Sequence, residues 1–105
     1  NFTPLSKEMV DEFKPVKDKI EALLKTTADS ISQRSFDNYR QTLKEADKLK
    51  DELSVVRKRH IDRMQTSHTQ NLQAGLVYLN LLQESQQLLS NMRHQLRSVK
   101  KFEEN

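Results

Sequence analysis

The stretch that decides the fold is Leu72–Phe102, and within it Gly75-Leu-Val-Tyr-Leu-Asn-Leu-Leu-Gln-Glu-Ser-Gln-Gln-Leu-Leu-Ser90. Leu72, Leu76, Leu79, Leu82, Gln86, Leu89, Arg93, Leu96 and Val99 recur at steps of three and four, the period of one helix face. A second row, Tyr78, Leu81, Leu88 and Met92, lies beside the first. An apolar arc this wide needs more than one neighbouring helix to cover it, so the stretch is expected to be the central helix of a bundle. Its polar breaks at Gln83, Gln86, Gln87 and Ser90 are either interhelical hydrogen bonds that fix register or a binding strip.

The rest of the 105 residues supplies the partners. A stripe of Leu5, Met9, Phe13, Val16, Ile20, Leu23, Leu24, Thr27 and Ile31 marks a first helix over about residues 4–32, with Thr3 as its N-cap and Pro4 in its first turn. Pro15 falls inside that stripe, so a kink is expected near Asp11–Lys14. A second helix over about residues 36–66, capped by Ser35, carries Phe36, Tyr39, Leu43, Ala46, Leu49, Leu53, Val56, His60 and Met64 at a 3.5-residue repeat, the narrow seam of a coiled coil. Ser67-His-Thr-Gln70 has the capping-box pattern and opens the third helix, at about 69–102. With connections this short, consecutive helices should be antiparallel. The expectation is one all-α domain, an elongated antiparallel three-helix bundle with coiled-coil-type packing, a rod on the order of 45 Å at 1.5 Å per residue.

Composition excludes several classes. One Gly and two Pro leave little to build hairpins, and a mean hydropathy of -0.86 suits helices with solvated outer faces. No run reaches the roughly 18–20 apolar residues that cross a bilayer. No cysteine is available for disulfides or thiol chemistry. The start at Asn1 fits a piece of a longer chain. The net charge of +3 is carried by interspersed signs, and the basic clusters Arg57-Lys-Arg-His60 with Arg63, and Arg93-His-Gln-Leu-Arg97 with Lys100-Lys101, come late in their helices, where cations oppose the helix dipole. Neither cluster contains an aromatic residue, so nucleic acid is not an expected partner.

Enzyme templates fail on residue types. Gly75 stands alone, no His-Glu-x-x-His occurs, and His60, His68 and His94 do not share a face at ligand spacing. His60, on the seam, reads as a packed, hydrogen-bonded residue. Asp47 and Asp51 form an i, i+4 carboxylate pair that could offer hard oxygen ligands, but Glu84 is the only acid between Leu72 and Phe102 to meet them from the third helix.

Over about Ile20–Phe102 the chain resembles a PhoU-like helical repeat, in the divergent form found as the C-terminal cytoplasmic domain of bacterial sodium/phosphate cotransporters. Asp47-x-x-x-Asp51-Glu-Leu53 is similar to the family's first acidic motif, and Lys58-Arg-His-Ile-Asp-Arg-Met64 to the basic end of that helix. Tyr78-Leu-Asn-Leu-Leu82 followed by Gln-Glu-Ser-Gln-Gln-Leu-Leu-Ser-Asn91, and the Leu-Arg-x-x-x-Lys-Phe ending at Phe102, resemble the stretch around its Glu-Arg-Ile-Gly-Asp-type signature. There the signature's Glu falls on Gln86 and its last Asp on Ser90, neither a strong anionic ligand. The resemblance implies a non-catalytic regulatory domain at the cytoplasmic face of the cell membrane. It would act with no cofactor, no metal and no bound small molecule, through contacts with the transmembrane part of its own chain or a second copy. Tyr78, Leu81, Gln86, Leu88 and Ser90 are its expected contact residues. A stand-alone oligomerising module using exposed Tyr78, Leu81 and Leu88 is the alternative. A phosphotransfer bundle on His60 or His94 is disfavoured by the absence of small residues around either.

Overall fold

The computed structural model describes residues 5–66 and 72–104, which form three helices: α1, Lys7–Gln33, α2, Tyr39–Thr66, and α3, Leu72–Glu104. Cross-helix contacts set their directions. Arg63 and Arg59 reach Glu12 while Glu52 reaches Lys19, so α1 and α2 run antiparallel. His60 meets Gly75, Gln86 meets Lys50 and Arg93 meets Asp47, so α2 and α3 do too. The bundle measures 56 × 26 × 18 Å, longer than the sequence estimate because α3 alone has 33 residues.

Burial follows a heptad-like spacing on every helix. On α2 it takes Thr42, Ala46, Leu49, Leu53, Val56 and His60; on α3, Ala74, Gly75, Tyr78, Leu82, Ser85, Leu89, Met92 and Leu96; on α1, Met9, Val16, Ile20, Leu23 and Thr27. Alternating steps of three and four are what left-handed helix pairs require. Two readings of the pattern need correction. On α2 the buried residue of the first turns is Thr42, whose hydroxyl donates to the Asn38 carbonyl, and Leu43 is only half-buried. On α3 the inward face lies along Ala74, Tyr78, Leu82 and Ser85, leaving Leu72 at 65% and Leu76 at 50% exposure. The small residues Ala74 and Gly75 lie on that inward face. A Cβ on Gly75 would stand 3.2 Å from the end of the Met64 side chain, a tight contact that this flexible side chain would have to yield to by a few tenths of an ångström.

The ends of the helices also differ from the sequence reading. α1 starts later, with Ser6 as N-cap accepting from the Met9 amide at 3.2 Å; Thr3 and Pro4 lie outside the described residues. α1 continues through Pro15, which sits on the exposed side, where the carbonyl that loses its partner can be hydrated. α2 begins at Tyr39 with no acid in its first turn, so neither Ser35 nor Asp37 plays the expected role. Ser35 instead closes α1: its amide donates to the Ser30 carbonyl at 3.0 Å and that of Arg34 to Ile31 at 3.3 Å, a Schellman end. The expected capping box at Ser67–Gln70 lies outside the described residues.

Arg34 holds the left-handed position of that end at φ 53°, a conformation that suits glycine. Its ion pair to Glu103 is exposed and long, at 3.6 Å, and contributes little. Arg34→Gly should therefore raise stability by about 0.5–1 kcal/mol, read as a higher urea midpoint with an unchanged slope.

Candidate functional site

Asp47 and Asp51 do not converge on a shared ligand position. The Asp47 carboxylate pairs with Arg93 across the α2–α3 interface at 2.9 Å, and Asp51 is exposed with no side-chain partner among the described residues. No group of three or more His, Asp or Glu side chains is arranged to hold a metal ion among the described residues. Gln86 donates from its amide to the Lys50 carbonyl at 3.2 Å and to the Ser54 hydroxyl at 2.8 Å, a register-fixing contact between the same two helices. Ser90 is half-buried beside it. The two acceptors are adjacent on α2, where the Ser54 hydroxyl also donates to the Lys50 carbonyl at 3.2 Å, and together they give this amide a structural use. Elemental analysis of the purified chain is expected to find well under one iron, zinc or manganese ion per molecule, since carboxylates are too few to replace a metal's water shell.

Of the expected contact residues, Leu88 is 41% exposed and Leu81 packs half-buried against the core. Tyr78 is not available as a surface contact: it is fully buried. It belongs to a polar network at the end of the bundle where α1 begins, and this network was not anticipated from the sequence.

The network joins all three helices. Successive turns of α1 present Glu8 and Glu12, and successive turns of α2 present Arg59 and Arg63, each pair at i, i+4 on one face. Arg63 donates to Glu8 at 3.0 Å and to Glu12 at 3.3 Å, Arg59 donates to Glu12 at 3.1 Å, and the Tyr78 hydroxyl donates to Glu12 at 2.8 Å. Within the basic end of α2, Arg59 and Arg63 are thus paired with acids of α1, in addition to lying late in their helix.

His60 completes the arrangement. It is fully buried, as its seam position predicted, with one ring nitrogen 2.8 Å from the Gly75 carbonyl and the other 2.9 Å from an Arg63 N–H. A carbonyl can only accept and a guanidinium can only donate, so the ring is the neutral tautomer with its proton on Nε2. Its edge packs against Tyr78 at 4.7 Å between ring centres, and Phe13 meets the other side of Tyr78 at 6.3 Å, both near-perpendicular.

Burial alone would raise the Glu12 carboxyl pKa, but the Tyr78 hydroxyl, Arg63 and Arg59 together hold it below the ordinary 4.5. Burial, the hydrogen bond to Glu12 and its negative charge push the Tyr78 hydroxyl well above the ordinary 10. Both shifts favour an ionised carboxylate accepting from a neutral phenol. The arrangement ties the three helices together. The signal for it was in the sequence as two i, i+4 pairs of opposite charge on consecutive antiparallel helices; what hid it was that α1 acids and α2 bases look like ordinary solvated faces until register is known.

At the opposite end, Tyr39, the first residue of α2, lies against the basic cluster of α3. The Lys100 ammonium sits 4.9 Å from the centre of its ring. The expectation that this cluster lacks an aromatic neighbour holds along the chain and fails in space.

No known protein family, curated protein or solved structure matches the chain, so the fold and these contacts rest on the residues themselves. Among the described residues no helix is long and apolar enough to cross a membrane.

Proposed function

We propose that the chain is a non-catalytic PhoU-like accessory domain of a sodium-dependent phosphate symporter, resting at the cytoplasmic face of the cell membrane and acting through helix-bundle contacts. The observation that carries this reading is the use made of the signature positions: Asp47 and Gln86, where a metal-binding relative would place carboxylates, each bridge α2 and α3 with a polar contact of packing type. Such a domain keeps the helical scaffold and works by what it touches. Its contact surface is the α3 flank carrying Val77 and Leu88, which lie three turns apart and are 45% and 41% exposed.

The test is made in the full-length gene. It should encode several apolar segments of transmembrane length ahead of Asn1, and cells expressing it should take up labelled phosphate only with sodium. Val77→Glu with Leu88→Glu should lower that uptake several-fold at equal membrane abundance, the size expected from interface residues worth about 1–2 kcal/mol each. A gene with no such segments would sink the proposal.

A second reading, an oligomerising helical module, is favoured by the same exposed apolar residues together with Leu72 and Leu76. Light scattering separates the two: an obligate oligomer of the isolated chain, made monomeric by the same pair of substitutions, supports the module.

A further inference from the structure

We propose that the groove between the start of α2 and the end of α3 binds a phosphate-bearing anion, with Arg97, Ser98 and Lys101 as its principal donors. The groove, of about 440 Å³, is lined by Tyr39, His94, Arg97, Ser98, Lys100, Lys101 and Glu104. Four of these, His94, Arg97, Ser98 and Lys101, repeat at i, i+3, i+4 and i+7 and so share one strip of α3.

Charge in the groove is unbalanced. Lys100 is paired with Glu104 and lies over the Tyr39 ring. Arg97 and Lys101 have no ion-pair partner among the described residues, unlike Arg93, which Asp47 neutralises, and Arg59 and Arg63, which Glu8 and Glu12 neutralise. Arg97, Lys100 and Lys101 set three cations in the groove against the one carboxylate of Glu104. The helix dipole explains Lys101, in the last turn of α3, but its influence is spent within that turn and does not reach Arg97, seven residues before the helix ends. α2 opens at Tyr39, inside the groove, with no acid in its first turn, and the field of its N-terminus offsets the opposite field of the α3 C-terminus, leaving the side-chain charges to set the sign.

The donor set selects the anion class. A planar guanidinium fork, an ammonium and a hydroxyl on one strip offer several N–H and O–H bonds to one tetrahedral oxyanion. A phosphate monoester carries roughly −1.5 to −2 at neutral pH, which matches the two uncompensated cations. A chloride or a single carboxylate would leave the groove positive. The groove is open and wet, so affinity should be modest and strongly salt-dependent. This inference does not depend on the transporter reading.

Inorganic pyrophosphate is titrated into the 15N-labelled chain at constant ionic strength, with sodium chloride as the control. Saturable shifts are expected at His94, Arg97, Ser98 and Lys101, and Arg97→Gln with Lys101→Gln should weaken binding at least about tenfold without moving the rest of the spectrum. Vesicles with and without phosphatidic acid form the second arm. Binding to them, lost in the same variant, assigns the phosphate to a lipid headgroup, while pyrophosphate binding alone assigns it to a soluble phosphoester. Failure of both probes overturns the proposal. So do pyrophosphate shifts that chloride reproduces, that spread over Lys14 and Lys25 on α1, or that survive in the double variant.

Discussion

Replacing Glu12 with Ala should lower the unfolding free energy by about 2–4 kcal/mol, because one carboxylate accepts from Tyr78, Arg63 and Arg59 at once. Removing it strands a buried phenol and leaves the largely buried Arg63 guanidinium with only the exposed Glu8 carboxylate as its opposite charge. For a domain of this size that corresponds to a fall in Tm of roughly 10–25 °C. The control is Glu21→Ala, which deletes an equally formal ion pair to Lys17 at 3.5 Å with both side chains exposed, and should change stability by no more than about 0.5 kcal/mol. Glu12 also fixes the acid limb. Its pKa is lower folded than unfolded, so its contribution is fully present above the unfolded value of about 4.5 and is lost as pH falls through the folded value. Wild type should therefore lose more stability than Glu12→Gln as the pH drops below 4.5, and the two should run parallel near neutrality. Equal acid limbs in urea titrations would mean that Glu12 is not held by these partners.

Tyr78→Ala is expected to be at least as severe, at about 3–5 kcal/mol. Tyr78 is fully buried between His60 and Phe13, and truncation removes both ring contacts and leaves a void where α1, α2 and α3 meet. Tyr78→Phe separates the two roles. It keeps the rings packed and deletes only the hydroxyl that donates to Glu12, so it should cost about 1–2 kcal/mol. The raised hydroxyl pKa adds an alkaline counterpart. The neutral phenol stabilises the fold fully below the unfolded value of 10, and that stabilisation declines as pH rises above it. Tyr78→Phe should lack this decline.

The three helices and their seams were legible because apolar spacing survives in the sequence whatever the register. Leu49, Leu53 and Val56 on α2, and Leu82, Leu89 and Leu96 on α3, fall inward as their spacing requires. What spacing cannot carry is rotation about the helix axis when apolar residues are available on two sides. Leu72 and Leu76 continue one row of leucines, yet Ala74 and Gly75 face inward, where Met64 and His60 of α2 pack close to Gly75. Helix ends were lost for a related reason: Ser6 caps α1 with its hydroxyl, whereas Ser35 closes α1 through its main-chain amide, a contact set by the left-handed Arg34 turn and not by the serine side chain. At the site, His60 could be placed on the seam from its position alone, whereas its partners Arg63 and Gly75 are set by the α2–α3 register. Gln86 was visible as a polar break, and its hydrogen bonds to Lys50 and Ser54 make it a register contact.

These polar residues between helices hold the bundle together. The most direct test is a double-mutant cycle of Glu12→Ala and Tyr78→Phe measured by equilibrium urea unfolding. If the two groups share one interaction, Tyr78→Phe should cost about 1–2 kcal/mol in the wild-type background and close to nothing once Glu12 is gone, a coupling of about 1–2 kcal/mol. Additive effects, within about 0.5 kcal/mol, would contradict it.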